Sequence, residues 1–185
     1  LITTLTNIWK IEDLRNRILN TLLFLLIYRI GCHVVLPGVD PSALASVGEK
    51  EGLLGMINMF SGGSFSRAAI FALGVMPYIS ASIVVQLLGI AVPAFQKMQK
   101  EGESGRKKMT QITRYLTVAI TLVQAIAYVK TQIDDTAKVI SDPMFTVLTA
   151  IVLTAGTLFV MWLGEKITDK GIGNGISIIL MVNIL

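Results

Sequence analysis

The chain has 185 residues, of which 53% are hydrophobic and only 15% charged, with a formal net charge of +4. Soluble domains carry about a quarter charged residues, so this composition excludes an ordinary water-soluble domain and points to a polytopic membrane protein. The positive charge sits in short connections between apolar runs, where orientation in a bilayer explains it without nucleic acid, and the single cysteine, Cys32, excludes an internal disulfide and a metal site of its own.

Leu1 to Asn16 is polar enough to lie at a surface, with Trp9 at headgroup level. The first 17 residues form an interfacial segment before the membrane domain, 18–185. The first span is expected over Ile18 to Leu36. Arg29 falls well inside it and either reaches for the outer interface beside Tyr28 and His33 or faces an interior partner that the sequence does not name. Leu36-Pro37-Gly38 ends the helix. A short helix is expected from Asp40-Pro41-Ser42 through Ala45.

Gly52 to Phe60 is apolar but reaches less than half of a bilayer core of about 30 Å. It lies in the interface or folds back as a re-entrant piece, which the hinge Ser61-Gly62-Gly63-Ser64 permits. The second span is expected over Ala68 to Val92, kinked at Pro77. Val75, Ile79 and Ile83 recur there at i, i+4 and i+8. On spacing alone that stripe reads as ordinary lipid or helix packing.

Residues 96–114 form a basic connection, with a turn at Glu101 to Gly105. It is either a topology signal or a docking loop for an anionic partner such as RNA. Spans three and four are expected over about 112–129 and 144–163, with Gln124 in the former. Thr149, Thr154, Ala155, Gly156 and Thr157 offer a small packing face in the latter. Residues 164–170 read as a charged turn. The fifth span enters at Gly171-Ile172-Gly173-Asn174-Gly175 and runs over about 172–185.

Eleven Lys and Arg fall on the side of the N-terminus, 96–114 and 164–170, against four on the other, which puts the N-terminus in the cytoplasm. No cleavable signal peptide is expected. The chain lacks an initiating Met and stops inside an apolar run, so it reads as a piece of something longer. No phosphate-binding loop, metal cluster or paired carboxylate lies in a span. Ser80 and Ser82 have no basic partner in their span. An enzyme is not expected, nor is any cofactor.

Three stretches, NMFSGGSFSRAAIFALGVMPYISASIVVQLL, KEGESGRKKMTQITRY and MWLGEKITDKGIGNGISI, together resemble the SecY family of protein-conducting channel subunits. The likeness covers the first span to the end and matches the N-terminal half, helices one to five. It implies an all-α membrane bundle, one half of an inverted-repeat channel with a short re-entrant plug helix. It assigns Leu53, Leu54, Met56, Ile57, Met59, Phe60, Ser61, Gly62 and Gly63 to the plug, within about 53–65. It assigns Val75, Ile79, Ile176 and Leu180 to a pore ring, where family members often carry Ile at all four. Spans two and three would form one side of a lateral gate. Lys100, Arg106, Lys107 and Lys108 would meet a ribosome or the SecA motor. Further implied partners are the SecE and SecG subunits, signal sequences, nascent polypeptides and membrane lipid, with no DNA, in the bacterial cytoplasmic (inner) membrane.

The implied function is the passage of unfolded secretory polypeptides across that membrane, with sideways release of transmembrane segments to lipid. Branched aliphatic groups make a deformable collar that bonds to nothing specific and excludes ions by dewetting. Met59 and Phe60 would rest the plug on that collar. A secondary transporter of a small solute with discontinuous helices is the alternative. A pore-free scaffold would leave the apolar stub unexplained.

Overall fold

At bilayer depth every backbone polar group needs a partner from the protein itself, and a helix supplies partners locally. The structure is a computed structural model and describes residues 11–40, 53–133 and 142–184. The helices among them are α1 (Glu12–Gly31), α2 (Leu53–Phe60), α3 (Met76–Ala91), α4 (Pro93–Lys100), α5 (Glu103–Gln132), α6 (Asp142–Lys170) and α7 (Gly175–Ile184). The fold is an all-α membrane bundle. Most of the expected interfacial segment, with Trp9, nearly all of the short helix expected through Ala45, and residues 134–141 lie outside the described residues.

α5 and α6 are each long and apolar enough to cross a membrane, and α3 and α4 qualify together as a pair bent by 99°. The bend follows from Pro93, which drives Val92 into the extended region (φ −111°, ψ 121°) and then serves as the first residue of α4. α1 carries Leu19, Leu22, Leu23, Leu26 and Ile30 on exposed positions, a face suited to lipid. α5 packs on α3 and α6, and α6 also packs on α1 and α7. Buried Thr113, Thr117 and Thr121 point along one face of α5. Each hydroxyl donates to the carbonyl four residues back, at 2.9, 2.7 and 2.6 Å, so the face stays small and satisfied.

Several expected boundaries shift. The first span was expected to run to Leu36, but α1 stops at Gly31 and the chain turns at Cys32. Val34 to Leu36 then pairs with Ala68 to Ile70 through Leu36 N–H to Ala68 O (2.8 Å) and Ile70 N–H to Val34 O (2.9 Å). The expected second span from Ala68 begins instead at Met76, because residues 61–75 form a chain of turns. Pro77 therefore kinks nothing. It sits in the first turn of α3, where its missing N–H is not needed. The basic connection 96–114 is mostly helical, as the end of α4 and the first turns of α5, with the chain reversing at Gly102. The charged turn expected at 164–170 is the last part of α6.

The turns of 61–75 are buried: Ser61, Ser64, Phe65, Ala68, Ala69, Phe71, Ala72, Leu73 and Val75 are all shielded. They divide the core in two. On one side Phe65, Ala72 and Leu73 pack with Leu36, Tyr128, Phe145 and Leu153. On the other Phe71 and Val75 pack with Tyr28, Val160, Leu163, Ile167 and Ile179. Gly156 of α6 is what lets this backbone in, since a Cβ there would collide with the Ile70 carbonyl. Of the expected small face on α6, Thr149, Gly156 and Thr157 are buried and Ala155 is exposed.

Gly156→Val should therefore overpack that contact and lower stability by about 1–3 kcal/mol. Thermal unfolding of the purified complete channel in detergent should shift downward. An unchanged midpoint would show that the 61–75 backbone does not press on α6.

Candidate functional site: a cavity with charged and aliphatic lining

A cavity of about 1060 Å³ opens between α3, the start of α5, the end of α6 and α7. Along α3 it runs over Ile79, Ser82, Ile83 and Gln86, positions that share one helical face over about 10 Å. Along α7 it runs over Asn174, Ile176, Ser177 and Leu180. One end is polar, with Glu103, Arg106, Lys107, Arg114, Glu165 and Asp169. Ile79, Ile176 and Leu180 form an aliphatic part of the lining and pack half-buried against the core around Phe71, Val160 and Leu163.

Local sequence explains how each wall is held. α7 starts where it does because Asn174 Oδ1 accepts from the Ile176 and Ser177 amides at 3.1 and 3.3 Å. Thr168 Oγ1 accepts from the Gly175 amide at 2.9 Å and joins the end of α6 to α7. The glycine-rich entry is thus a tight junction followed by a capped helix. On the opposite wall Arg114 of α5 donates to both oxygens of Glu165 on α6, at 3.2 and 2.5 Å. This bidentate pair ties the polar mouth across 51 residues of sequence.

Three of the four expected ring residues, Ile79, Ile176 and Leu180, line the cavity together. Val75 does not. It lies one turn before Ile79, is 1% exposed, and packs in the core behind the wall. The expected basic cluster is at the polar end or beside it. Lys100, Arg106, Lys107 and Lys108 are all exposed, and Arg106 and Lys107 line the mouth. Lys107 pairs with Glu103 (3.7 Å) and Lys108 with Glu101 (3.5 Å), while Lys100 and Arg106 have no ion-pair partner among the described residues.

The expected plug segment forms a short helix, α2, packed on α7. Its surface differs from the expectation that Met59 and Phe60 rest on the ring. Met56 and Met59 are largely exposed, whereas Ile57 packs on the core beside Phe65 and Leu73. The hinge Gly62-Gly63 has positive φ at both residues, and the guanidinium of Arg67 donates to the carbonyls of Gly62 (3.3 Å) and Gly63 (3.1 Å). His33 lies outside the cavity. Its Nδ1 donates to the Arg29 carbonyl at 2.9 Å and finishes α1.

Sequence reasoning missed Asn183. It is 7% exposed, on α7, and its amide donates both to the Tyr28 hydroxyl and to the Phe60 carbonyl, each at 2.9 Å. The available signal was an amide inside an otherwise apolar run, Gly175 to Ile184. Tyr28, read as interfacial, is in fact fully buried and stacked on Phe71 at 5.7 Å.

These features define a polytopic helical membrane protein with a cavity lined by both charged and aliphatic side chains. The SecY family model matches residues 69–185, and the chain belongs to the SecY family. It is 46% identical over 198 residues to the protein translocase subunit SecY of Streptomyces scabiei, covering 100% of this chain and 45% of that protein. It is likewise 46% identical over 181 residues to the Rickettsia typhi subunit, covering 94% of this chain and 42% of that one. The chain thus spans somewhat under half the length of these curated relatives. Among solved structures it is similar to a protein-conducting channel (TM-score 0.66, 19% identity, 91% of this chain and 36% of that one). Sec61 in a canine ribosome-channel complex is also similar (TM-score 0.67, 19% identity, again 91% and 36%).

The mouth pair gives a test of wall rigidity. Arg114 and Glu165 are both partly exposed, so a double-mutant cycle with Arg114→Met and Glu165→Gln should give a coupling of about 0.5–1 kcal/mol that falls as salt is raised. A salt-independent coupling several times larger would mean that the mouth is closed to water.

Proposed function

We propose that this chain is the N-terminal half of the pore subunit of a protein translocase. In this reading it passes unfolded secretory polypeptides across the bacterial cytoplasmic membrane and releases transmembrane segments sideways to lipid. The observation that supports the reading is that Ile79, Ile176 and Leu180, from two helices far apart in sequence, line one cavity and pack on one core cluster. A branched aliphatic collar offers a moving chain no hydrogen bond to stop at, and a narrow apolar constriction resists wetting by ions. Val75 supports the collar from behind. No step of this requires catalysis by the chain or a cofactor.

Within this reading α2 is the stopper, hinged at Ser61 to Ser64 and resting against α7. The N-terminus and the mouth face the cytoplasm, supported by the eleven-to-four distribution of Lys and Arg. Exposed Lys100, Arg106, Lys107 and Lys108 are suited to a ribosome or to an acidic surface of the SecA motor. SecE and SecG subunits, signal sequences, nascent polypeptides and membrane lipid complete the set of partners. The names of the curated relatives favour this reading over a small-solute transporter.

Removing residues 52–64 from the complete channel should raise ion conductance in planar bilayers while polypeptide insertion survives. Wild-type conductance after the deletion would remove the stopper assignment. Separately, Arg106→Glu, Lys107→Glu and Lys108→Glu together should weaken co-sedimentation with ribosomes or the motor about tenfold or more at low salt. Unaltered co-sedimentation would leave the cluster as a topology signal alone.

A further inference from the structure

Asn183 stands on the same face of α7 as two collar residues, at i+7 from Ile176 and i+3 from Leu180, so it lies about one turn beyond the collar. Its two amide protons are both used. One goes to the Tyr28 hydroxyl, the other to the Phe60 carbonyl, the last residue of α2. Carbonyls at a helix end need partners from outside the helix, and here the partner comes from the wall that α2 closes against.

The two ends of this bridge differ in mobility. Tyr28 is fully buried, stacked nearly parallel (3°) on Phe71, which stacks in turn on Phe159 at 5.9 Å. It is fixed to the bundle. Phe60 leads directly into a hinge where Gly62 and Gly63 both have positive φ. Asn183 therefore joins a rigid anchor to the end of a movable element. Its Oδ1 is buried with no hydrogen-bond partner. That oxygen and Arg29 Nη1 converge on Gly62, 2.7 and 2.9 Å from where a Cβ would stand. Any side chain at position 62 would push the amide aside, so the contact requires glycine for space as well as for φ +64°.

We propose that Asn183, positioned by Tyr28, is a latch that holds the stopper shut by its Phe60 carbonyl. This rests on the stopper reading of α2. Asn183 is itself buried, so release of the Phe60 carbonyl leaves a buried amide donor to be satisfied again, which favours the seated position. A passing chain that displaces α2 must supply the opening force, and on return the same amide restores one seated position.

The test is ion conductance of the complete channel in planar bilayers, with the 52–64 deletion as reference. Asn183→Leu keeps approximate volume and removes both donors. Asn183→Asp keeps shape and removes the donors while retaining an acceptor. Each should raise the open-to-closed ratio about tenfold, the scale of one hydrogen bond. Tyr28→Phe keeps the stacking and removes only the anchor hydroxyl, so it should give a smaller rise in the same direction. It carries the test if the Asn183 variants fail to assemble. Combined with the deletion, none of these substitutions should raise conductance further. If the deletion opens the channel while Asn183→Leu and Tyr28→Phe stay at the wild-type level, the latch is wrong and the stopper stands. If the substitutions raise conductance equally in the deletion background, Asn183 acts on wall packing and the latch is wrong. If the deletion itself changes nothing, both latch and stopper are wrong.

Discussion

The hydrogen bonding of residues 61–75, a stretch without helix inside a membrane bundle, and of the Phe60 carbonyl that leads into it governs the rest of this structure. Such backbone is tolerable only where protein supplies its partners. Tyr128 reaches from α5 to donate to the Phe65 carbonyl at 2.6 Å. The extended residues after α1 donate to the Ala68 carbonyl and accept from the Ile70 amide. Ser61 Oγ accepts from the Phe65 amide, Asn58 Oδ1 from the Ser66 amide, and Asn183 takes the Phe60 carbonyl. Partners come from α1, α2, α5 and α7, so satisfying one stretch of backbone draws together most of the bundle.

The same stretch sets up the cavity. By spending fifteen residues on turns, the chain delays α3 until Met76, and Ile79 then lines the cavity together with Ile176 and Leu180 of α7. The route from α2 to Val75 is short and buried, so the apolar helix stays beside the wall to which it is joined. Small residues make this possible where backbone meets helix. Gly156 admits the Ile70 carbonyl, and the threonines of α5 satisfy their own hydroxyls without bulk. The polar mouth is fixed separately, by Arg114 with Glu165 and by Asn174 at the head of α7. The ion pair at the mouth, the aliphatic lining and the short apolar helix α2 thus have separate local causes.

Much of this was legible in the sequence. Apolar run length identified the spans, and the short stub with its Ser-Gly-Gly-Ser hinge identified a non-spanning element, because both depend on local composition. That Ile79, Ile176 and Leu180 belong together was suggested by family likeness and not by spacing, since an i, i+4 aliphatic pair is equally a lipid face; the three line one cavity. What was not legible depended on tertiary partners. Ala68 to Val75 reads as helix, and only pairing with Val34 to Leu36 and packing on Gly156 keeps it in turns. Pro77 looked like a kink because its position in the helix was unknown. Val75 matched the ring pattern, yet lying before the first turn of α3 takes it out of the cavity wall. Asn183 and Tyr28 are 155 residues apart, and no spacing rule links them.

The central claim is that the cavity between α3 and α7 is the path of a polypeptide. The direct measurement is site-specific crosslinking of a stalled secretory nascent chain to cysteines placed in the complete channel at Ile79→Cys, Ile176→Cys and Ile90→Cys. Ile90 is 72% exposed and lies off the cavity, so it reports lipid-facing surface. Strong adducts at positions 79 and 176 with little at 90 are the expected result. Adducts at 90 equal to those at 79 and 176, or none at any position, would contradict the account.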